Sequence, residues 1–152
     1  MAEDFTIYRR RLPHWRQTGV TYFVTWRLHS TQLPLAPNER TVIVNSIEHF
    51  NNQRYKLAAH VVMDDHVHVL LKPCQPYHLQ QILHSWKSYT AHYLQQNYNR
   101  NGCVWQSESF DRIIRDEQEF NEKLQYILRN PFKRWPEIQD YTWLHTMPVD
   151  WY

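Results

Sequence analysis

The sequence predicts an α+β sandwich: an antiparallel sheet carrying helices on one face. Three observations predict it. β-Branched and aromatic runs at 20–28, 55–63 and 67–71 have the length and composition of strands. Segments with apolar residues at helical spacing separate or follow them, at 37–52, 77–96 and 116–130. The joint between the second and third runs, around Asp64-Asp65, is too short for anything but an antiparallel hairpin.

Taken in order, residues 1–19 read as a basic, partly irregular arm with Pro13 and a turn near Thr18-Gly19. Arg9, Arg10 and Arg11 run beside Tyr8, and His14, Trp15 and Arg16 follow. Charge runs are ordinarily solvated surface; one interleaved with aromatics also fits a groove that holds phosphates and stacks unpaired bases. The strand over 20–28 is followed by a loop with two prolines. Pro37-Asn38 opens a helix on which Val42, Ile43, Ser46, Ile47 and Phe50 share a face. After the hairpin, the helix over 77–96 buries Leu79, Ile82, Leu83, Trp86, Tyr89 or Thr90, and Tyr93. A short strand is expected within 104–114, with Ile113-Ile114 in the core. Asp116 as N-cap and Glu119 three residues on form a capping-box pattern for the last helix. Its stripe is Phe120, Leu124, Ile127 and Leu128, and Pro131 is expected to end it. The tail over 132–152, with Pro136, Pro148 and several tryptophans, is expected to pack over the domain.

A chain of 152 residues, 42% hydrophobic, is long enough for one domain with a proper core. The composition excludes a disordered or collagenous chain, and no apolar run spans the roughly 20 residues a bilayer requires. The first residues lack the apolar core of a signal peptide. Cys74 and Cys103 are too few for a disulfide framework and lack CxxC spacing, so a cytoplasmic protein with free thiols is expected. A formal charge of +2 does not by itself indicate nucleic acid.

The chemistry gathers around 63–73, MDDHVHVLLKP. Side chains alternate along a strand, so His66 and His68 point one way and Val67 and Val69 the other. The two imidazoles stand about 7 Å apart at the backbone and can converge on one ion, a half-built metal site that needs at least one more ligand. The plainer reading is a pair of polar rings on the solvated face of an edge strand. At 100° per residue from Phe120, Tyr126 falls at about −120° and Asn130 at about −80°, off the apolar stripe and one turn apart. Tyr126 is therefore either placed for chemistry or merely exposed.

The segments D-D-H-V-H-V-L-L-K-P at 64–73, S-W-K-S-Y-T at 85–90, V-W-Q at 104–106, R-D-E at 115–117 and Y-I-L-R-N-P at 126–131 together resemble the IS200-like single-tyrosine (Y1) HUH transposases. Y-R-R-R-L-P-H-W at 8–15 and T-Y-F-V-T-W-R-L at 21–28 are similar to the branch called REP-associated tyrosine transposases. The resemblance spans nearly the whole chain in order. It departs from many members in carrying Asp64-Asp65 where they carry P-N before the histidine pair.

The resemblance implies a single RRM-like (ferredoxin-like) domain over 1–152, with a central antiparallel sheet and flanking helices. It implies His66 and His68 as the HUH pair, Asn130 as an amide-type third ligand, Tyr126 as nucleophile, and Mg²⁺ or Mn²⁺ as cofactor. The implied partner is single-stranded DNA at hairpin-forming repeats, handled by a monomer or homodimer in the cytoplasm at the nucleoid. DNA contacts are expected from Arg9, Arg10, Arg11, His14, Trp15, Lys87 and Arg112. A tyrosine of pKa near 10 is a poor nucleophile at neutral pH, and a divalent ion that offsets charge on the scissile phosphate supplies the help it needs. The alternative is an RRM-like module that grips hairpin DNA or RNA without cutting. Two-histidine phosphodiesterases need repeated H-x-[ST], which is missing, and histidine-triad enzymes need a third His where this chain has Leu70.

Overall fold

The computed structural model describes residues 19–148. Its elements follow in the order β1 (Thr21–Leu28), α1 (Pro37–His49), β2 (Tyr55–Val62), β3 (His66–Pro73), α2 (Leu79–Asn97), β4 (Trp105–Ile114), α3 (Glu117–Arg134) and β5 (Leu144–Thr146). The strands form one sheet, β4-β1-β3-β2-β5, in which every neighbouring pair is antiparallel. The first six elements make a β-α-β-β-α-β unit of the ferredoxin-like kind, with β1 and β3 central. The expected β2–β3 hairpin is present, and β4 is a full ten-residue strand rather than a short one.

Alternation along the strands builds two cores. Val24, Trp26, Val67, Val69 and Leu71 face Ile43 and Ile47 of α1 and Ile82, Leu83 and Trp86 of α2. Their neighbours Phe23 and Leu70 face the other way, with Val61, against Phe120 and Ile127 of α3. Helices therefore cover both faces of the sheet, not one. Periodicity tells a helix that it has an apolar side but not which sheet face will receive it.

Three local expectations are corrected. On α2 Thr90 is the buried one of the pair Tyr89 and Thr90, and Leu94 rather than the half-buried Tyr93 follows it; the exposed Tyr89 ring lies tilted against that of Tyr93. On β4, Ile114 is buried but Ile113 is half exposed, because β4 is an edge strand. α3 does not stop at Pro131 but runs on to Arg134. A proline inside a helix forfeits one backbone bond and costs about 3 kcal/mol. Here the ring is itself buried, extending the Phe120–Ile127 stripe by another turn, and the Trp135 N–H donates to the Pro131 carbonyl at 2.8 Å. Apolar burial wins over local preference.

At its start α3 is capped as expected: the Asp116 carboxylate accepts from the Glu119 N–H at 2.8 Å. The reciprocal bond goes one residue further back, from the Arg115 N–H to Glu119 Oε1 at 2.9 Å. The chain after α3 returns to the sheet, where β5 pairs with β2 and the Tyr141 hydroxyl donates to the Val62 carbonyl at 2.7 Å.

Candidate metal and tyrosine centre

β3 sends His66, His68 and Leu70 toward α3, and that parity brings two imidazoles under the helix. Their ring centroids are 4.7 Å apart. From above, α3 lowers Asn130 and Tyr126, one turn apart, onto the pair. Asn130 Oδ1 lies 3.2 Å from His66 Nε2. The Tyr126 ring meets the His68 ring edge-on at 5.2 Å. Phe23 of β1 stacks on His68 at 5.3 Å and meets the Tyr126 ring at 5.9 Å, so it holds both. Tyr126 is 47% exposed, leaving the tyrosine open to solvent.

Each imidazole is oriented through its other nitrogen. His66 Nδ1 lies 2.6 Å from Asp65 Oδ1, so that nitrogen carries a proton and Nε2 is the one that presents a lone pair when the ring is neutral. In that state two acceptors, His66 Nε2 and the Asn130 amide oxygen, face one another. His68 Nδ1 lies 2.7 Å from the Thr25 hydroxyl, directly across the β1–β3 ladder. His68 Nε2 is buried with no hydrogen-bond partner among the described residues. Burial first, then the positive charge His66 carries when protonated and those of Arg27 and Lys123, pushes His68 down to about 3, so its ring is neutral at physiological pH. Two imidazole lone pairs and an amide oxygen, with a buried nitrogen unpaired, fit a divalent cation.

Arg134, the last residue of α3, ties the helix to the β2–β3 joint by reaching Asp64 at 3.0 Å and Asp65 at 3.6 Å. Both aspartates preceding the histidine pair thus brace the helix through Arg134, and Asp65 also holds His66 Nδ1. Lys123 stands over the Phe23 ring at 4.9 Å, and Arg129 and Lys133 line a trough with Tyr126 and Asn130 on the outer side of α3. Sequence reasoning did not single out Thr25, Phe23, Arg129 or Lys133. Arg129 and Lys133 were legible at three and seven residues beyond Tyr126; Thr25 depends on strand register.

The other sequence candidates lie elsewhere. Arg112 of β4 is paired with the Glu119 carboxylate, whose second oxygen already accepts from Arg115, so Glu119 is committed and is no free proton acceptor for Tyr126. Lys87 donates to the Gln106 carbonyl at 2.8 Å, the Ser107 carbonyl at 3.2 Å and the Ser109 hydroxyl at 3.0 Å, fastening α2 to β4. Arg9, Arg10, Arg11, His14 and Trp15 lie outside the described residues. No helix among the described residues is long and apolar enough to cross a membrane.

Comparison with solved structures gives a REP-associated tyrosine transposase bound to a REP hairpin, at 19% identity and a TM-score of 0.71 over 88% of this chain and 86% of that one. A candidate transposase from Deinococcus radiodurans R1 matches at 19% identity and a TM-score of 0.50, over 72% of this chain and 88% of that one. No curated protein matches the sequence. The family model described as IS200-like transposase matches residues 35–130, which takes in both histidines, Tyr126 and Asn130. The chain belongs to the IS200-like transposase family.

Proposed function

We propose that this protein is a Y1 transposase of the REP-associated kind, which nicks and rejoins single-stranded DNA at hairpin-forming repeats through a covalent bond to Tyr126. The observation that carries the reading is the meeting of a half-exposed phenol, two imidazoles and an amide oxygen at one point between β3 and α3. The likeness to a transposase solved on a REP hairpin supports the choice of substrate.

His66, His68 and Asn130 would hold a Mg²⁺ or Mn²⁺ ion, which would supply Lewis-acid stabilisation of charge on the scissile phosphate. Tyr126 attacks phosphorus. The new bond joins its phenolic oxygen to the 5′ phosphate, the bond from phosphorus to the 3′ oxygen breaks, and that oxygen leaves as a free 3′-OH. The phenolic proton passes to solvent, since Glu119 is held by Arg112 and Arg115. The energy of the phosphodiester is kept in the tyrosyl ester, so a returning 3′-OH can reseal or transfer the strand. Lys123, Arg129 and Lys133 supply positive charge beside the phenol, where the backbone of the strand must lie. The basic arm with Arg9, Arg10, Arg11, His14 and Trp15 is assigned to the hairpin. Such a protein works in the cytoplasm, where its DNA is.

The test is incubation with a labelled hairpin repeat and Mn²⁺, followed by a search for an SDS-resistant protein–DNA band. The wild type forms the band, chelation prevents it, and Tyr126→Phe loses it while still shifting the hairpin in a native gel. A band that survives in Tyr126→Phe removes Tyr126 from the role. Binding with no band under any metal condition leaves a non-cutting hairpin-binding module instead.

A further inference from the structure

A second convergence of ligand-type side chains lies on the opposite face of the sheet. His60 of β2 pairs across the ladder with Val69 and with His145 of β5, and it points toward α1, whose last turn carries Glu48. The two imidazoles are cross-strand neighbours with ring centroids 5.1 Å apart. Both aim at the same carboxylate oxygen: Glu48 Oε2 lies 2.8 Å from His60 Nε2 and 2.6 Å from His145 Nδ1. All three ligand atoms fall within 4.8 Å of one another.

The surroundings suit an ion. His145 Nε2 lies 3.1 Å from the Thr142 carbonyl, the outer partner that fixes a metal-ligating imidazole. With the proton on Nε2, the Nδ1 lone pair would face a carboxylate oxygen, an arrangement that a cation between the two atoms satisfies. His60 is fully buried, whereas Glu48 and His145 are each about one-third exposed, so one side is open to entry and to a water ligand. Tetrahedral Zn²⁺ with bonds of about 2.0–2.1 Å sets its ligands roughly 3.3 Å apart, so each imidazole nitrogen needs only to draw back slightly from Glu48 Oε2. Two imidazoles and one carboxylate select a Zn²⁺-class ion over Mg²⁺ or Ca²⁺, which prefer all-oxygen sites.

We propose that Glu48, His60 and His145 form a structural binding site for a Zn²⁺-class ion, which fastens β5 to β2 and α1. β5 is three residues long and lies at the sheet edge, so its own ladder holds it weakly. The proposal stands independently of the tyrosine chemistry, because it uses no residue of that centre.

The test uses the full chain carrying His66→Ala and His68→Ala, which silences the β3 imidazoles. In that background Zn²⁺ binds at one equivalent and raises Tm, Mg²⁺ does not, and Co²⁺ gives the visible bands of a tetrahedral nitrogen–oxygen site. Adding Glu48→Gln or His145→Ala, both at partly exposed positions, weakens Zn²⁺ binding at least tenfold and removes the Co²⁺ bands. Should the background variant not fold, the wild type takes two Zn²⁺ equivalents and its His145→Ala variant takes one. A Zn²⁺ stoichiometry and Tm response that are the same with and without Glu48 and His145 overturn the proposal, leaving a protonated His145 as the link to Glu48.

Discussion

Asp65→Ala tests whether the residue beside the histidine pair governs the ion. The carboxylate accepts from His66 Nδ1 at 2.6 Å, and its side chain is about half exposed. Its contribution to fold stability is therefore screened and small, below about 1 kcal/mol. Its effect on ligand orientation is not screened: without it, His66 is free to carry its proton on Nε2, the nitrogen that faces Asn130. Loss of such an outer partner typically costs 10–100-fold in metal affinity, about 1.4–2.8 kcal/mol. Asp65→Asn keeps an oxygen acceptor without the charge, so it falls between wild type and Asp65→Ala. Isothermal titration with Mn²⁺ in a Glu48→Gln background reads the affinity, and urea unfolding reads the stability. An unchanged Mn²⁺ affinity in a folded Asp65→Ala protein refutes the assignment.

Other outcomes follow from the packing. Glu39 and Arg100 form a nearly buried pair, with Glu39 Oε1 2.7 Å from Arg100 Nη2. Glu39→Gln leaves that guanidinium short of its counter-charge and costs about 3 kcal/mol by urea unfolding at neutral pH, the lower end for a buried pair because Arg100 keeps the Leu33 and Pro34 carbonyls. Burial raises the Glu39 carboxyl, but its bonds to Arg100 and the Ala36 N–H outweigh this and hold it below the ordinary glutamate value. Its stabilisation is thus complete above the unfolded value and fades as pH falls through the folded one, and Glu39→Gln flattens that acid limb. In the core, Thr90→Val strands the Trp105 indole N–H, which donates to Thr90 Oγ1 at 2.9 Å, and lowers stability by about 1–3 kcal/mol. A change there within about 0.5 kcal/mol counts against that bond's role.

Sequence reasoning recovers what short-range pattern encodes. The hairpin of β2 and β3 follows from two strand-like runs and a short joint, and the parity of His66 and His68 follows from the pleat. Tyr126 and Asn130 stand out because helical spacing sets them off the Phe120–Ile127 stripe. Lost are matters decided by distant partners. Thr25 orients His68 through a register between strands 43 residues apart, which neither segment encodes alone. Tyr89 and Thr90 are adjacent, so a small phase error on α2 exchanges the buried residue for the exposed one; Leu94 one turn on settles it. Pro131 stays helical because its ring finds a buried place, an outcome of packing that no local rule anticipates. Glu48, His60 and His145 meet only because α1, β2 and β5 share one sheet edge.

The imidazoles of β3 and the phenol of α3 belong to one and the same polypeptide, with Arg134 bracing the helix to the hairpin that bears them. On the proposed chemistry each molecule is self-sufficient. Cleavage of prebound DNA then proceeds at a rate indifferent to dilution, and mixing a phenol-less protein with an imidazole-less one restores nothing.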